Sequence, residues 1–176
     1  PYKHQWNVIK AIAKVRFEEN WPLVLDLVGS IMHKASGKLF IECLNKYDPK
    51  DEWINYHKYV DHQILDTFYK NADLGVFAST CENLPIILLE YMGSGVPLIC
   101  SNFGPMPNTS KNSLLYFNPE QPADIEKQLK KMIRSPELRY KCAKAAMISE
   151  KDYSWTQCST NTFEFIKDVY KKYKYK

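Results

Sequence analysis

Leu74 to Cys100 read LGVFASTCENLPIILLEYMGSGVPLIC. The two short apolar runs at its ends, Leu74 to Phe77 and Pro97 to Cys100, have the length and composition of buried strands. Between them Pro85 to Met92 predicts a helix, stopped by Gly93 and Gly95. A strand, a helix and a second strand in so short a space make a parallel crossover unit, and parallel sheets are covered by helices on both faces.

The same alternation extends outward in both directions. Upstream, Ile9, Ile12, Ala13 and Phe17 recur at three and four residues, which predicts a helix from Trp6 to Phe17 with one buried face. Leu23 to Val28 is a branched run bounded by Pro22 and Gly29 and predicts a buried strand. A helix from about Ser36 to Lys46 and a short strand centred on Ile54 follow. Asp61 then caps a helix that runs through Asn71, with Ile64, Leu65 and Phe68 on its inner side. Downstream, a long loop rich in Pro, Asn and Ser leads to a strand at Leu114 to Phe117, and the remainder predicts helices at Pro122 to Arg134, Pro136 to Lys151 and Ser154 to about Tyr173. The fold class is α/β, a Rossmann-like doubly wound parallel sheet. Ligands of such sheets bind beyond the carboxyl ends of the strands, so the site belongs in the loops after Val28, Tyr56, Phe77 and Cys100.

Composition removes several classes of function. The chain has 176 residues, 45% hydrophobic and 25% charged, enough for one domain with its own core. No apolar run approaches the ~20 residues of a spanning helix. It opens on Pro1 without the pattern of a secretory signal, and is expected to be a piece of a longer protein. Cys43, Cys81, Cys100, Cys142 and Cys158 are scattered and odd in number, as for reduced, mostly buried thiols of a cytoplasmic protein. His57 and His62 are five apart, off a common helical face, and no metal site is expected. Gly29 to Lys38 ends in Gly-Lys, but its glycines are spaced wrongly for a phosphate loop and Leu39 replaces the magnesium-holding hydroxyl. No G-x-G-x-x-G fingerprint is present. A net charge of +4 is small, and no nucleic-acid signature accompanies it. Only Tyr170 to Lys176, YKKYKYK, concentrates basic and aromatic residues, which reads as a helix end and leaves open a peripheral contact with an anionic membrane.

Two carboxylates carry the chemistry. Glu82 falls in the turn after the first strand of the opening stretch, and Glu90 lies more than a turn inside the helix that follows. That spacing lets them meet one extended ligand at two points, with helix-start N–H groups between them. A carboxylate accepts paired hydrogen bonds from vicinal hydroxyls, which suits a sugar. The apolar run before Glu90 and the Gly-Ser-Gly turn after it make a merely solvated role unusual.

At these residues the chain resembles glycosyltransferase family 4. The family's run S-x-x-E, a turn, then L-L-E-A-M-x-x-G-x-P-V-I is matched by Ser79, Glu82, Pro85, Leu88, Leu89, Glu90, Met92, Gly95, Val96, Pro97, Leu98 and Ile99. Tyr69 to Ser79, Leu115 to Pro119 and Tyr153 to Trp155 resemble further family segments in the same order. The resemblance implies the C-terminal half of a GT-B glycosyltransferase, with retention at the anomeric carbon, a nucleoside diphosphate sugar as donor, no cofactor and no metal; a D-x-D motif is absent. It gives Glu90 the ribose hydroxyls and Glu82 the hydroxyls of the transferred sugar. Asn83, Leu84 and Ile86 approach the donor through their backbone N–H groups, Tyr59 and Val60 lie beside the base, and Lys3 neutralises the diphosphate. His57 departs from the family's usual Gly. The family's partner Arg precedes that Lys and lies outside the chain, as does the amino-terminal domain expected to bind a saccharide or lipid-linked acceptor. The implied setting is cell-surface polysaccharide synthesis in the cytoplasm. The alternatives are a nucleotide-sugar epimerase or a phosphorylase on the same fold, or a nucleotide-binding module without catalysis.

Overall fold

The computed structural model describes residues 1–174 of the chain. Along it run α1 (Gln5–Glu19), β1 (Leu25–Val28), α2 (Lys34–Tyr47), β2 (Ile54–His57), α3 (His62–Asn71), β3 (Gly75–Phe77), α4 (Ile86–Ser94), β4 (Leu98–Ser101), α5 (Met106–Thr109), β5 (Leu115–Phe117), α6 (Pro122–Arg134), α7 (Pro136–Glu150) and α8 (Trp155–Tyr173). Every strand pairing is parallel. Leu25 lies opposite Ile54 in the β1–β2 pair, and Gly75 opposite Leu98 and Ile99 opposite Leu115 in the order β3-β4-β5. The one sheet expected is divided into a pair and a triplet. Among the described residues β1 and β3 line the same core but share no ladder; beyond the end of β3, the Thr80 N–H donates to the Tyr2 carbonyl.

Period-two alternation on β4 divides the core into two. Leu98 and Cys100 face Leu88, Met92 and Ala146, while Ile99 between them joins Ile9, Val15 and Ile125 on the other side. All four β4 residues are buried, as a central parallel strand requires. Helices α1, α2 and α6 accordingly pack together on one face, and α3, α4 and α7 on the other. Each fully buried Leu, Ile or Met contributes about 1.5–3 kcal/mol. That anchors α4, which carries Glu90, through Leu88 and Met92, neither of which has exposed surface.

Local chemistry sets the ends of the elements. Asp61 caps α3 by accepting from the Gln63 N–H. Asp48 takes three backbone N–H groups, from Glu52, Trp53 and Ile54, and so ties the end of α2 to the start of β2. Burial would raise its pKa, but those donors hold it below the usual carboxylate range. Gly95, not Gly93, ends α4: its φ of 78° is the left-handed cap that glycine adopts without strain, whereas Gly93 continues the helix beside the Glu150 side chain.

Other expectations are corrected. Ile64 is exposed and α3 buries no residue, because it packs at the rim, mainly against α4. Phe17 is exposed near the end of α1. A single helical turn, α5, interrupts the loop expected after β4, held by Ser110, whose hydroxyl donates to the Met106 carbonyl. Cys43, Cys100 and Cys142 are buried thiols, but Cys81 and Cys158 are exposed. Every residue of α8 is exposed. Of the basic end, Tyr175 and Lys176 lie outside the described residues. Among those described, no helix is long and apolar enough to cross a membrane.

Candidate functional site

The loop from Ala78 to Pro85 joins β3 to α4 at the carboxyl end of the sheet. Its first half is fixed by Ser79, which is buried and donates to the Cys81 carbonyl, and its second by Pro85, which is fully buried at the start of α4. Proline lacks an N–H and presets φ, so it enters a helix without losing a hydrogen bond. Glu82 is thereby held at the rim with its side chain only 15% exposed.

Lys3 reaches the same point from the other end of the sequence. Its Nζ lies 2.5 Å from Glu82 Oε1, and 5.3 Å from the ring centroids of both Tyr2 and Phe77. Three bonds to Thr80 hold this segment down: its N–H and its hydroxyl both donate to the Tyr2 carbonyl, at 2.9 and 3.4 Å, and the hydroxyl lies 3.1 Å from His4 Nε2. His4 itself sits at φ 46°, a left-handed turn that swings the chain from Lys3 into α1. Burial lowers the His4 pKa, which favours the neutral ring. The cation at this rim is therefore Lys3, and its counter-charge is Glu82.

Glu90 is engaged on both oxygens from α3. Tyr69 donates its hydroxyl to Oε2 at 2.9 Å, and His62 Nε2 lies 3.2 Å from Oε1. His62 follows Val60 by two residues, so this bond draws the β2–α3 loop with Tyr59 and Val60 toward α4. Tyr59 is almost fully exposed. Leu84 and Ile86 are also exposed, as is Met32 in the β1–α2 loop, so apolar side chains from three neighbouring crossover loops face solvent at this end of the sheet.

Of the three backbone donors expected toward a ligand, Ile86 is committed elsewhere, since its N–H bonds the Leu84 carbonyl at 2.9 Å. Asn83 and Leu84 lie in the loop just before α4, where its positive dipole end favours an anion. His57 does not join His62. It pairs with Asp26 at 2.9 Å and packs edge-on against Phe68. The basic residues Lys14, Lys130 and Arg134 on α1 and α6 form a separate surface network, closed by Glu18, Glu19 and Glu126.

The structure thus brings Lys3 to Glu82 across 79 positions, and His62 and Tyr69 to Glu90 across 28 and 21. Sequence reasoning missed Tyr69, His62, His4 and Thr80 as members of the site. A signal existed only for Tyr69, which stands in the Y-x-x-A-D segment; nothing local could pair His62 with a glutamate on the next helix.

Residues 1–148 match the family model described as glycosyl transferases group 1. The O-antigen chain mannosyltransferase B of Escherichia coli is 27% identical over 118 residues, which are 67% of this chain and 31% of that protein. The chain therefore spans about a third of the length of that relative. Two solved structures share the fold. A sucrose-phosphate synthase from Thermosynechococcus elongatus superposes with a TM-score of 0.80 at 18% identity, over 96% of this chain and 43% of that one. The C-terminal domain of a glycosyl transferase group 1 family protein, LpcC, from Francisella tularensis superposes with a TM-score of 0.70 at 22% identity, over 86% of this chain and 79% of that one.

Proposed function

The chain belongs to the glycosyl transferases group 1 family, and on that premise we propose that it is the donor-binding half of a retaining, metal-independent enzyme of the family-4 type. The donor is a nucleoside diphosphate sugar. The acceptor is a saccharide or lipid-linked saccharide of cell-surface polysaccharide synthesis, in keeping with the O-antigen relative.

The observation that carries this reading is the Lys3–Glu82 pair beside the start of α4. In the free protein the two charges neutralise each other. A diphosphate arriving at Lys3 and the loop N–H groups of Asn83 and Leu84 displaces Glu82, whose freed carboxylate then accepts hydroxyls of the sugar. Glu90 takes the ribose, and the base lies against Tyr59 and Val60. As the bond from the anomeric carbon to the diphosphate breaks, Lys3 stabilises the charge on the departing oxygen. The acceptor oxygen bonds to the same face of that carbon, and its proton passes to the departing phosphate.

The acceptor is held by a further domain. The exposed apolar residues of α8, among them Trp155, Phe163, Ile166 and Val169, suit a helix that docks on that domain. Lys171 and Lys172 at its end suit work at the inner face of a membrane.

Two substitutions test the division of roles in the full-length protein. Glu90→Gln weakens binding of UDP, GDP or ADP, whichever binds, by about 1–3 kcal/mol, because a charge-assisted acceptor is lost from a pair of hydroxyls. Calorimetry reads this, and unchanged affinity removes Glu90 from the site. Glu82→Gln behaves oppositely toward the sugar-free diphosphate. With Lys3 released, affinity is kept or rises, whereas transfer falls about 10- to 100-fold for the lost hydrogen bonds to the sugar. Equal losses in both assays contradict the assignment.

A further inference from the structure

Glu90 has two partners of unlike character. Tyr69 is half-buried, its hydroxyl donating to Oε2 and its ring packed at 4.7 Å against the ring of Tyr91. Tyr91 in turn fills the space that Gly75 leaves: a Cβ on Gly75 would stand 2.7 Å from its ring. The hydroxyl of Tyr69 thus ends a column of packed groups that rises from β3, and burial, followed by the Glu90 carboxylate, pushes its pKa well above the ordinary range. It stays a donor throughout. His62 is the reverse, its side chain 82% exposed at the first turn of α3 and its Nε2 lying 3.2 Å from Glu90 Oε1.

We infer that Tyr69 is a positioning residue, which fixes the Glu90 carboxylate for a ribose, and that His62 is a placeholder which the ribose displaces. The inference rests on the assignment of Glu90 to the ribose. A carboxylate oxygen has two lone pairs, so Oε2 keeps one free after the Tyr69 bond is made, while Oε1 becomes fully available when the exposed imidazole swings away. Without the tyrosine hydroxyl the carboxylate regains rotamer freedom, and binding must then order it. Without His62 the ligand displaces nothing. The loss of Tyr69 therefore weakens affinity, whereas the loss of His62 does not.

The test is a set of calorimetric titrations of the full-length protein with UDP, GDP and ADP and with their 2′,3′-dideoxy counterparts. Tyr69→Phe keeps the ring packing and removes only the donor. It is expected to weaken the native nucleotide three- to tenfold, to leave the dideoxy nucleotide unchanged, and to add nothing in a Glu90→Gln background. His62→Ala is expected to leave affinity equal or up to threefold tighter. A Tyr69→Phe loss of equal size for both sugars would show a general structural defect and overturn the positioning role, as would no loss at all where Glu90→Gln does weaken binding. A His62→Ala loss matching that of Tyr69→Phe would overturn the placeholder role. If Glu90→Gln itself changes nothing, the assignment of the ribose falls, and this inference falls with it.

Discussion

Replacing Lys3 by methionine in the full-length protein is expected to lower the rate of sugar transfer about 10²- to 10³-fold, the usual cost of removing one preorganised group from the charge that develops in a transition state. Lys3 Nζ lies 5.3 Å from the Tyr2 and Phe77 ring centroids, and methionine, unbranched and apolar, can occupy the same space beside those rings without the charge. Glu82 is then left without its counter-charge, and its residual negative charge opposes the incoming diphosphate. Lys3→Met should therefore also weaken nucleoside diphosphate binding, the opposite of Glu82→Gln. That contrast separates function from scaffolding. If the pair served only to pin the N-terminal segment to the β3–α4 loop, both substitutions would lower the thermal midpoint alike and leave diphosphate affinity alike. Initial rates with calorimetry on the two variants decide between these, and transfer by Lys3→Met within threefold of the wild type would take Lys3 out of the mechanism.

The elements that could be read from the chain are those whose signals are local. Ile9 and Ile12 gave α1 by their spacing, Asp61 gave the first turn of α3, and the paired branched runs around α4 gave the parallel crossover. What could not be read needed contacts across the fold. The split between β1 and β3 concerns pairing between strands far apart in sequence, which no run of residues records. Ile64 carries a helical periodicity that matches a buried face, yet α3 lies at the rim with α4 as its main neighbour. The candidate site divides in the same way. Glu82, Glu90 and Lys3 stood out through the family resemblance, and an ion pair joins Lys3 to Glu82. The partners of Glu90 were not assigned, because Tyr69 and His62 reach it through side chains whose neighbours are set by the packing of α3 on α4, although Tyr69 stands in a family segment. Ile86 shows the reverse error: a helix-start N–H was expected to be open, and the turn at Leu84 uses it.

Residues 1–176 purified alone are expected to fold and to bind nucleoside diphosphate, yet to transfer sugar to no acceptor at a measurable rate. Folding follows from the two cores, one on each face, which bury Ile9, Leu88, Met92, Leu98, Ile99, Ile125 and Met132 almost completely without help from other chains. Binding follows from Lys3, Glu82 and Glu90 all lying within these residues. Catalysis requires more, since the rim that carries them is open and its exposed Tyr59, Leu84 and Ile86 form one wall only. Holding donor and acceptor together in reactive geometry accounts for about 7 to 11 kcal/mol of barrier reduction, so an acceptor that must arrive by diffusion reacts roughly 10⁵- to 10⁸-fold more slowly. Water, unopposed by a second wall, also weakens each electrostatic contact to the departing diphosphate. In the isolated piece Lys3 stands near a free end, where fraying lowers diphosphate affinity below that of the full-length protein. Circular dichroism, calorimetry with UDP, GDP and ADP, and a transfer assay run beside the full-length protein measure the three claims separately. Transfer by the piece at a rate comparable to the full-length protein would mean that the acceptor is held within residues 1–176, and the proposal of a second, acceptor-binding domain would be abandoned.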